Sequence, residues 1–175
     1  MDPSGNSPTL ADRYRRWFDY EKDANIKTLA ALDSVPNGNR TSAPFQKAVS
    51  IMAHIVAARQ LWLFRFGISD KKPTDFFPSG LDLPELIGRV EDVHGRWTVY
   101  LSRLTDADLN RRFEYQSLEG SWFRNTVDDI LTQLFGHSWY HRGQIASLVR
   151  AAGGEPAVTD FVFWTREPIP QPADT

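Results

Sequence analysis

Four long stretches of this chain carry apolar residues at helical spacing, with charged residues between them, and this pattern constrains the fold most strongly. The predicted helices cover residues 9–33, 44–66, 84–104 and about 125–152. Glycine and proline mark their ends, as in Pro36-Asn37-Gly38 and in Gly153-Gly154. Because each stretch has one apolar face to bury, we predict an all-α fold, an antiparallel four-helix bundle.

The segment before the last helix breaks the helical pattern. Phe113 and Tyr115 alternate with polar neighbours, a turn sequence follows at residues 117–120, and Trp122 and Phe123 come next. Alternation on both sides of a turn is typical of a β-hairpin. We therefore predict a short β-hairpin, or at least an extended excursion, over residues 111–125. The proline-containing segment 70–81 is predicted to be a loop that Phe76 and Phe77 fix to the helices.

The domain organisation is predicted to be simple, since 175 residues correspond to about one domain. Residues 1–8 are expected to be a disordered start, residues 9–166 the folded domain, and residues 167–175 an extended tail. The segment 161–164 holds four large apolar side chains. These are expected to pack on the helices or on a second subunit.

Composition excludes several classes of function. The chain has no cysteine, so disulfides, zinc–thiolate sites, iron–sulfur clusters and a cysteine nucleophile are excluded. With 20 Lys+Arg against 22 Asp+Glu, the net charge is −2, which disfavours binding to nucleic acid or to an anionic membrane. The polar N-terminus does not resemble a signal peptide, and no apolar run is long enough for a membrane span. A cytoplasmic location is expected.

The positions of the histidines are the sequence feature that most clearly indicates a chemical function. His137 and His141 are four residues apart on the apolar stripe of the last helix, so their imidazoles project side by side and form half of a metal site. His54, on the stripe of the second helix, is the predicted third ligand. His94 is predicted to lie outside the ligand set, because it borders a more polar arc. The alternative is that these are core histidines hydrogen-bonded to other partners.

The sequence GHSWYHRGQIASLVRAAGGEP at residues 136–156 resembles the signature of the DinB/YfiT-like superfamily, whose last helix carries H-x3-H-R-G-Q. His137 and His141 match this motif, and His54 matches the third histidine of the family. The resemblance implies a four-helix bundle with one divalent metal ion, often zinc or nickel. Three imidazoles are also compatible with iron or copper. The resemblance also implies frequent homodimers. Related members are transferases or isomerases that use a low-molecular-weight thiol.

Two functions follow as hypotheses. The first is a metal-dependent thiol S-transferase or hydrolase that acts on a small molecule, in which the ion activates a thiol cosubstrate or water. The second is a metal-binding stress-response or scaffold protein without catalysis. An accessible metal site favours the enzyme, whereas a site sealed by Phe161, Phe163 and Trp164 favours the second. A DNA-binding role is suggested only by the name of the family and is disfavoured by the acidic charge balance.

The other residues in and near the motif are predicted to have roles other than binding the metal. Arg142 is predicted to point away from the metal and to be structural, with Asp160 or Glu167 as a suggested partner. Gly143 is predicted to allow close helix packing, and Gln144 to be structural rather than to face a ligand. Tyr140 is a candidate hydrogen-bond donor to substrate.

Overall fold

The computed structural model describes residues 7–170, which form helices and one small sheet. The predicted disordered start and extended tail therefore lie partly outside the described residues. The helices are α1 Leu10–Asp33, α2 Ala43–Arg65, α3 Leu83–Ser102, α4 Asp106–Leu109, α5 Val127–Ala151 and α6 Phe161–Thr165, and the strands are β1 Arg112–Gln116 and β2 Trp122–Thr126. The predominantly helical class is confirmed, and the four long helices lie close to their predicted bounds.

Side-chain caps fix where the long helices begin. The hydroxyl of Thr9 accepts a hydrogen bond from the backbone N–H of Asp12, whose carboxylate accepts one from the N–H of Thr9 in return. Thr126 and Asp129 form the same reciprocal capping box at the start of α5. Each box provides partners for backbone N–H groups that have none within the helix. The last helix, predicted to begin at about residue 125, is thus capped by Thr126.

Two short α-helices within residues 7–170, α4 and α6, were not predicted. Thr105 caps the helix α4 through a capping box with Asp108. The Asp106 carboxylate also accepts a hydrogen bond of 2.9 Å from the backbone N–H of Ala11. Helix α4 therefore ties the chain after α3 to the first turn of α1.

The four long helices bury a continuous apolar core. Helix α2 packs most extensively against α5 and also against α3, while α1 packs against α3 and α5. The fully buried side chains include Tyr14, Met52, Trp97, Leu131 and Phe135. The close packing of α2 on α5 matters most for function, because these helices carry the three histidines of the predicted metal site.

The predicted excursion before the last helix is an antiparallel β-hairpin. Arg112 pairs with Thr126 and Gln116 with Trp122, and Gly120 supplies a positive φ of 92° at the turn. The hairpin packs on the end of α2, where the Trp62 and Tyr115 ring centroids are 4.9 Å apart. Strand β2 runs directly into α5 and so sets where that helix begins.

The segment after α5 returns to α1. The rings of Phe161 and Trp164 contact the ring of Tyr20, with centroids 5.0 Å and 5.9 Å away, whereas Val162 and Phe163 are exposed. The expected packing of this segment on the helices is therefore present. No helix within residues 7–170 is both long and apolar enough to cross a membrane.

Candidate metal centre

The packing of α2 on α5 brings all three predicted histidines together. One ring nitrogen from each of His54, His137 and His141 forms a group whose atoms lie within 4.8 Å of one another. The ring centroids of His137 and His141 are 4.4 Å apart, as their four-residue spacing on one helix face predicts. The Nε2 atoms of His54 and His137 are 3.0 Å apart. Three imidazoles from two helices therefore converge on one point.

The spacing of these nitrogens fits a divalent ion. Two nitrogens bound to the same ion at about 2.0–2.1 Å and at a tetrahedral angle lie about 3.3 Å apart. The separation of 3.0 Å between the Nε2 atoms of His54 and His137 is close to this value.

Hydrogen bonds fix the tautomers of two of the rings. The backbone carbonyl of Phe76 lies 2.7 Å from Nδ1 of His54, and Oε1 of Gln144 lies 2.7 Å from Nδ1 of His141. Both oxygens only accept hydrogen bonds, so Nδ1 must carry the proton in each ring. The lone pair then lies on Nε2 of both rings. Metal-binding histidines typically have such a partner on the other nitrogen.

Neither orienting group was predicted. Gln144 was assigned a structural role, but its side chain contacts the imidazole of His141. The carbonyl of Phe76 belongs to the loop between α2 and α3, where a backbone acceptor gives no residue-type signal. The only sequence signal for Gln144 is its position, three residues after His141 and on the same side of the helix.

The surroundings keep His54 and His137 unprotonated. Burial lowers the pKa of His137 to about 4, and the nearby His141, His54 and Arg59 act in the same direction. Burial also lowers the pKa of His54, although the hydrogen bond with Phe76 opposes the change. At neutral pH both rings are therefore neutral, which is the form that binds a metal ion.

Aromatic and cationic groups border the site. The ring of Phe77 stacks on His54 with centroids 4.0 Å apart and an interplanar angle of 7°, and the Lys47 ammonium lies 5.4 Å from the Phe77 centroid. Tyr140 is 65% exposed, and its ring centroid is 5.1 Å from that of His141. The histidines themselves are half-buried. The cluster thus lies close to the protein surface.

His94 lies apart from this cluster, as predicted. Its Nε2 accepts a hydrogen bond of 3.1 Å from the side-chain amide of Asn25, and its ring meets the ring of Phe18 edge to face. Burial lowers the pKa of His94 to about 4. The polar contact to Asn25 makes it a hydrogen-bonded core histidine.

Arg142 has the structural surroundings that were predicted but not the suggested ion pair, and the prediction for Gly143 was wrong. Arg142 is buried and donates hydrogen bonds to the hydroxyl of Tyr20 and the Asn25 side-chain oxygen, and within residues 7–170 it forms no ion pair with Asp160 or Glu167. A Cβ built on Gly143 would meet no atom within 4 Å, so this glycine does not serve close packing. Close approach occurs instead at Gly154, where a Cβ would lie 2.6 Å from the Val35 side chain.

The tail aromatics occupy a different place from the histidines. Phe161 and Trp164 contact Tyr20 of α1, and Phe163 is exposed beside Arg166. Across residues 7–170, the ring contacts of His54, His137 and His141 are with one another, Phe77 and Tyr140. In the described residues these aromatics therefore do not seal the histidine cluster, which is the arrangement that favours an accessible metal site.

The comparison with known proteins shows the family of this chain. The family model described as "DinB family" matches residues 7–171 of the chain. The chain belongs to the DinB family. Among curated proteins, the protein named "Protein DinB" of Bacillus subtilis (strain 168) is 23% identical over 164 residues, which cover 87% of this chain and 93% of the relative. No solved structure matches the chain. The resemblance at residues 136–156 is thus supported across nearly the whole length of this DinB-family chain.

Proposed function

We propose that His54, His137 and His141 bind one divalent metal ion per chain, with zinc or nickel preferred and iron as the third possibility. The observation that carries this proposal is the convergence of three imidazoles, two of which have their Nδ1 protons held by the Phe76 carbonyl and by Gln144. Three imidazole ligands suit all three metals. A three-histidine set also leaves at least one coordination position for another ligand.

The proposed activity is that of a metal-dependent enzyme, a thiol S-transferase or a hydrolase. A divalent ion in this site would lower the pKa of a thiol or water and make it a nucleophile at neutral pH. Because the chain has no cysteine, a thiol must come from a small cosubstrate. Phe77 shields one face of His54, and the exposed Tyr140 hydroxyl is placed to contact a substrate beside His141.

Metal content tests the ligand assignment. Protein produced without a histidine tag should contain about one metal ion per chain by elemental analysis. His141→Ala should lose the ion, whereas His94→Ala should retain it, because His94 is bonded to Asn25 outside the cluster. Unchanged metal content in His141→Ala would contradict the assignment, and so would equal losses in the two variants.

Turnover tests the enzymatic role. The protein should catalyse the reaction of a model electrophile such as monobromobimane with at least one of a panel of small thiols. The rate should fall to the uncatalysed background after chelation, return when the metal is restored, and stay at background in His141→Ala. If a metal-loaded protein is inactive with every thiol and in ester hydrolysis, the non-catalytic metal-binding role becomes the better description.

We also propose that the four long helices form an antiparallel bundle and that the protein is a cytoplasmic homodimer. The contacts of α2 and α1 with both α3 and α5 support the bundle. The exposed Val162 and Phe163 are candidate contacts for a second copy. Light scattering coupled to gel filtration should give twice the chain mass of 20.0 kDa. A mass of one chain at micromolar concentration would contradict the dimer.

A further inference from the structure

A cavity that is open to solvent lies on the side of α5 that faces away from the histidines. Its volume is about 420 Å³, and it is bordered by Tyr20, Trp139, Arg142, Gly143, Ala146 and the segment 157–161. At 3.6 residues per turn, Trp139, Gly143 and Ala146 are about 140–200° around the helix from His141. A ligand in this cavity would therefore not reach the metal centre.

Arg142 places beside this cavity a positive charge that has no carboxylate partner within the described residues, although its guanidinium carbon lies 5.4 Å from the centroid of the Tyr20 ring. The residue is only 3% exposed. Its five N–H donors make two hydrogen bonds, of 3.2 Å to the Tyr20 hydroxyl and 3.4 Å to the Asn25 amide oxygen, and Nε has no partner in the described residues. Both acceptors are neutral. The guanidinium thus has no counter-charge within ion-pair distance in the described part of the chain.

Arg59, which is also buried, has the carboxylate partner that Arg142 lacks. Arg59 is 2% exposed, and the Glu21 carboxylate meets its charge through hydrogen bonds to Nε and Nη2. A buried charge without a partner is costly, and a carboxylate matches the planar guanidinium with two parallel hydrogen bonds. Arg142 lacks such a carboxylate and borders a cavity large enough to admit one.

The residues that line the cavity indicate the chemical character of the part of the ligand that does not contact Arg142. Trp139, Phe161 and Tyr20 supply aromatic surface, and Ala146 and Ala157 are small. The volume is within the usual range for small-molecule pockets, which are mostly apolar with a few polar groups. Asp160 also borders the cavity and is exposed, so its charge disfavours a dianion such as phosphate. We propose that this cavity binds a small monocarboxylate with a flat apolar body, its carboxylate on Arg142 and its body against Trp139 and Phe161.

A pair of matched probes tests the charge requirement. In a ¹⁹F NMR titration, 4-fluorophenylacetate should bind at least about ten-fold more tightly than 4-fluorophenylacetamide, which has the same shape without the charge. Equal affinity of the two probes would overturn the proposal. Absence of any carboxylate binding across the millimolar range would overturn it as well.

Substitution of Gly143 tests the location. A side chain at this position points into open space, so Gly143→Leu should occupy the cavity, abolish carboxylate binding and leave the protein folded. Gly95→Leu is the matched control, since Gly95 is also helical with nothing within 4 Å but does not border the cavity, and it should keep full binding. Retained binding in Gly143→Leu would overturn the proposal.

The metal centre must be excluded as the carboxylate site. His141→Ala should bind 4-fluorophenylacetate as tightly as the unaltered protein, because the cavity lies on the other side of α5. Loss of binding in His141→Ala would place the carboxylate at the histidines and overturn the proposal. Metal content should be unchanged in Gly143→Leu, so this inference and the proposed metal site can fail separately.

Discussion

A residue that hydrogen-bonds to one nitrogen of an imidazole determines which nitrogen is free to bind a metal ion. In this protein a backbone carbonyl and a side-chain amide oxygen accept from Nδ1 of His54 and of His141, so both rings have their lone pair on Nε2. The fact that the ligands are histidines does not by itself determine which ring nitrogen has the lone pair. Groups that contact ligands without binding the metal should therefore have measurable effects on affinity.

Gln144 gives the clearest test at this scale. Gln144→Leu removes the acceptor for Nδ1 of His141 and should weaken metal binding by about 10- to 100-fold. Gln144→Glu retains an acceptor and should restore most of the affinity. Competition with a chromophoric chelator measures both variants, and an unchanged affinity in Gln144→Leu would contradict the orienting role.

His94 should contribute to the pH dependence of stability. Its pKa is about 4 in the folded protein and about 6.5 when unfolded, so between these values the unfolded chain binds a proton that the folded chain does not. Its stabilising contribution is therefore complete above pH 6.5 and is lost as the pH falls towards 4. In His94→Gln, the slope of unfolding free energy against pH should be lower in this window, by at most about 1.4 kcal/mol per pH unit.

Urea unfolding of chelator-treated protein at several pH values between 6.5 and 4 measures this difference. Chelation removes any contribution from metal release. The histidines of the cluster are present in both proteins, so the difference in slope reports His94 alone. Parallel pH profiles for the two proteins would contradict the lowered pKa.

At the scale of elements, one buried ion pair joins three helices. Glu21 of α1 accepts hydrogen bonds from Arg59 of α2 and, at 3.1 Å, from the hydroxyl of Ser138 on α5. Ser138 follows His137 directly, so this contact also fixes α5 beside the metal site. Periodicity places these polar residues on buried faces but does not pair them with each other.

Glu21→Gln should be strongly destabilising. The substitution leaves the buried Arg59 charge without a counter-charge, which typically costs about 3–5 kcal/mol. Glu85→Gln, which breaks an exposed pair with Arg89, is the control and should cost less than about 1 kcal/mol. Chemical denaturation measures both, and similar losses in the two variants would contradict the buried-pair argument.

At the scale of the whole molecule, the predicted metal ion links two distant parts of the chain. His54 is on α2 and the other two histidines are on α5, so only the folded protein presents the complete site. A ligand that binds only the native state raises the unfolding free energy by mass action. The metal should therefore act as a stabilising cross-link between the two most extensively packed helices.

Removal of the metal should lower stability in a predictable way. If free metal is present at 100 times its dissociation constant, chelation should reduce the unfolding free energy by about 2.7 kcal/mol. The melting temperature of His141→Ala should not respond to the same chelator. Equal responses of the two proteins would show that the effect does not come from this site.

The sequence by itself determined the features that depend on near neighbours. Helical periodicity, Gly and Pro stops and capping residues act within a few positions along the chain, so the long helices, the hairpin and the shared face of His137 and His141 were predictable. Apart from the predicted meeting of His54 with His137 and His141, only the tertiary structure decided which groups from distant segments meet. The carbonyl of Phe76 on His54, Tyr20 and Asn25 on Arg142, and the open space at Gly143 depend on how helices and loops pack, which no local pattern encodes.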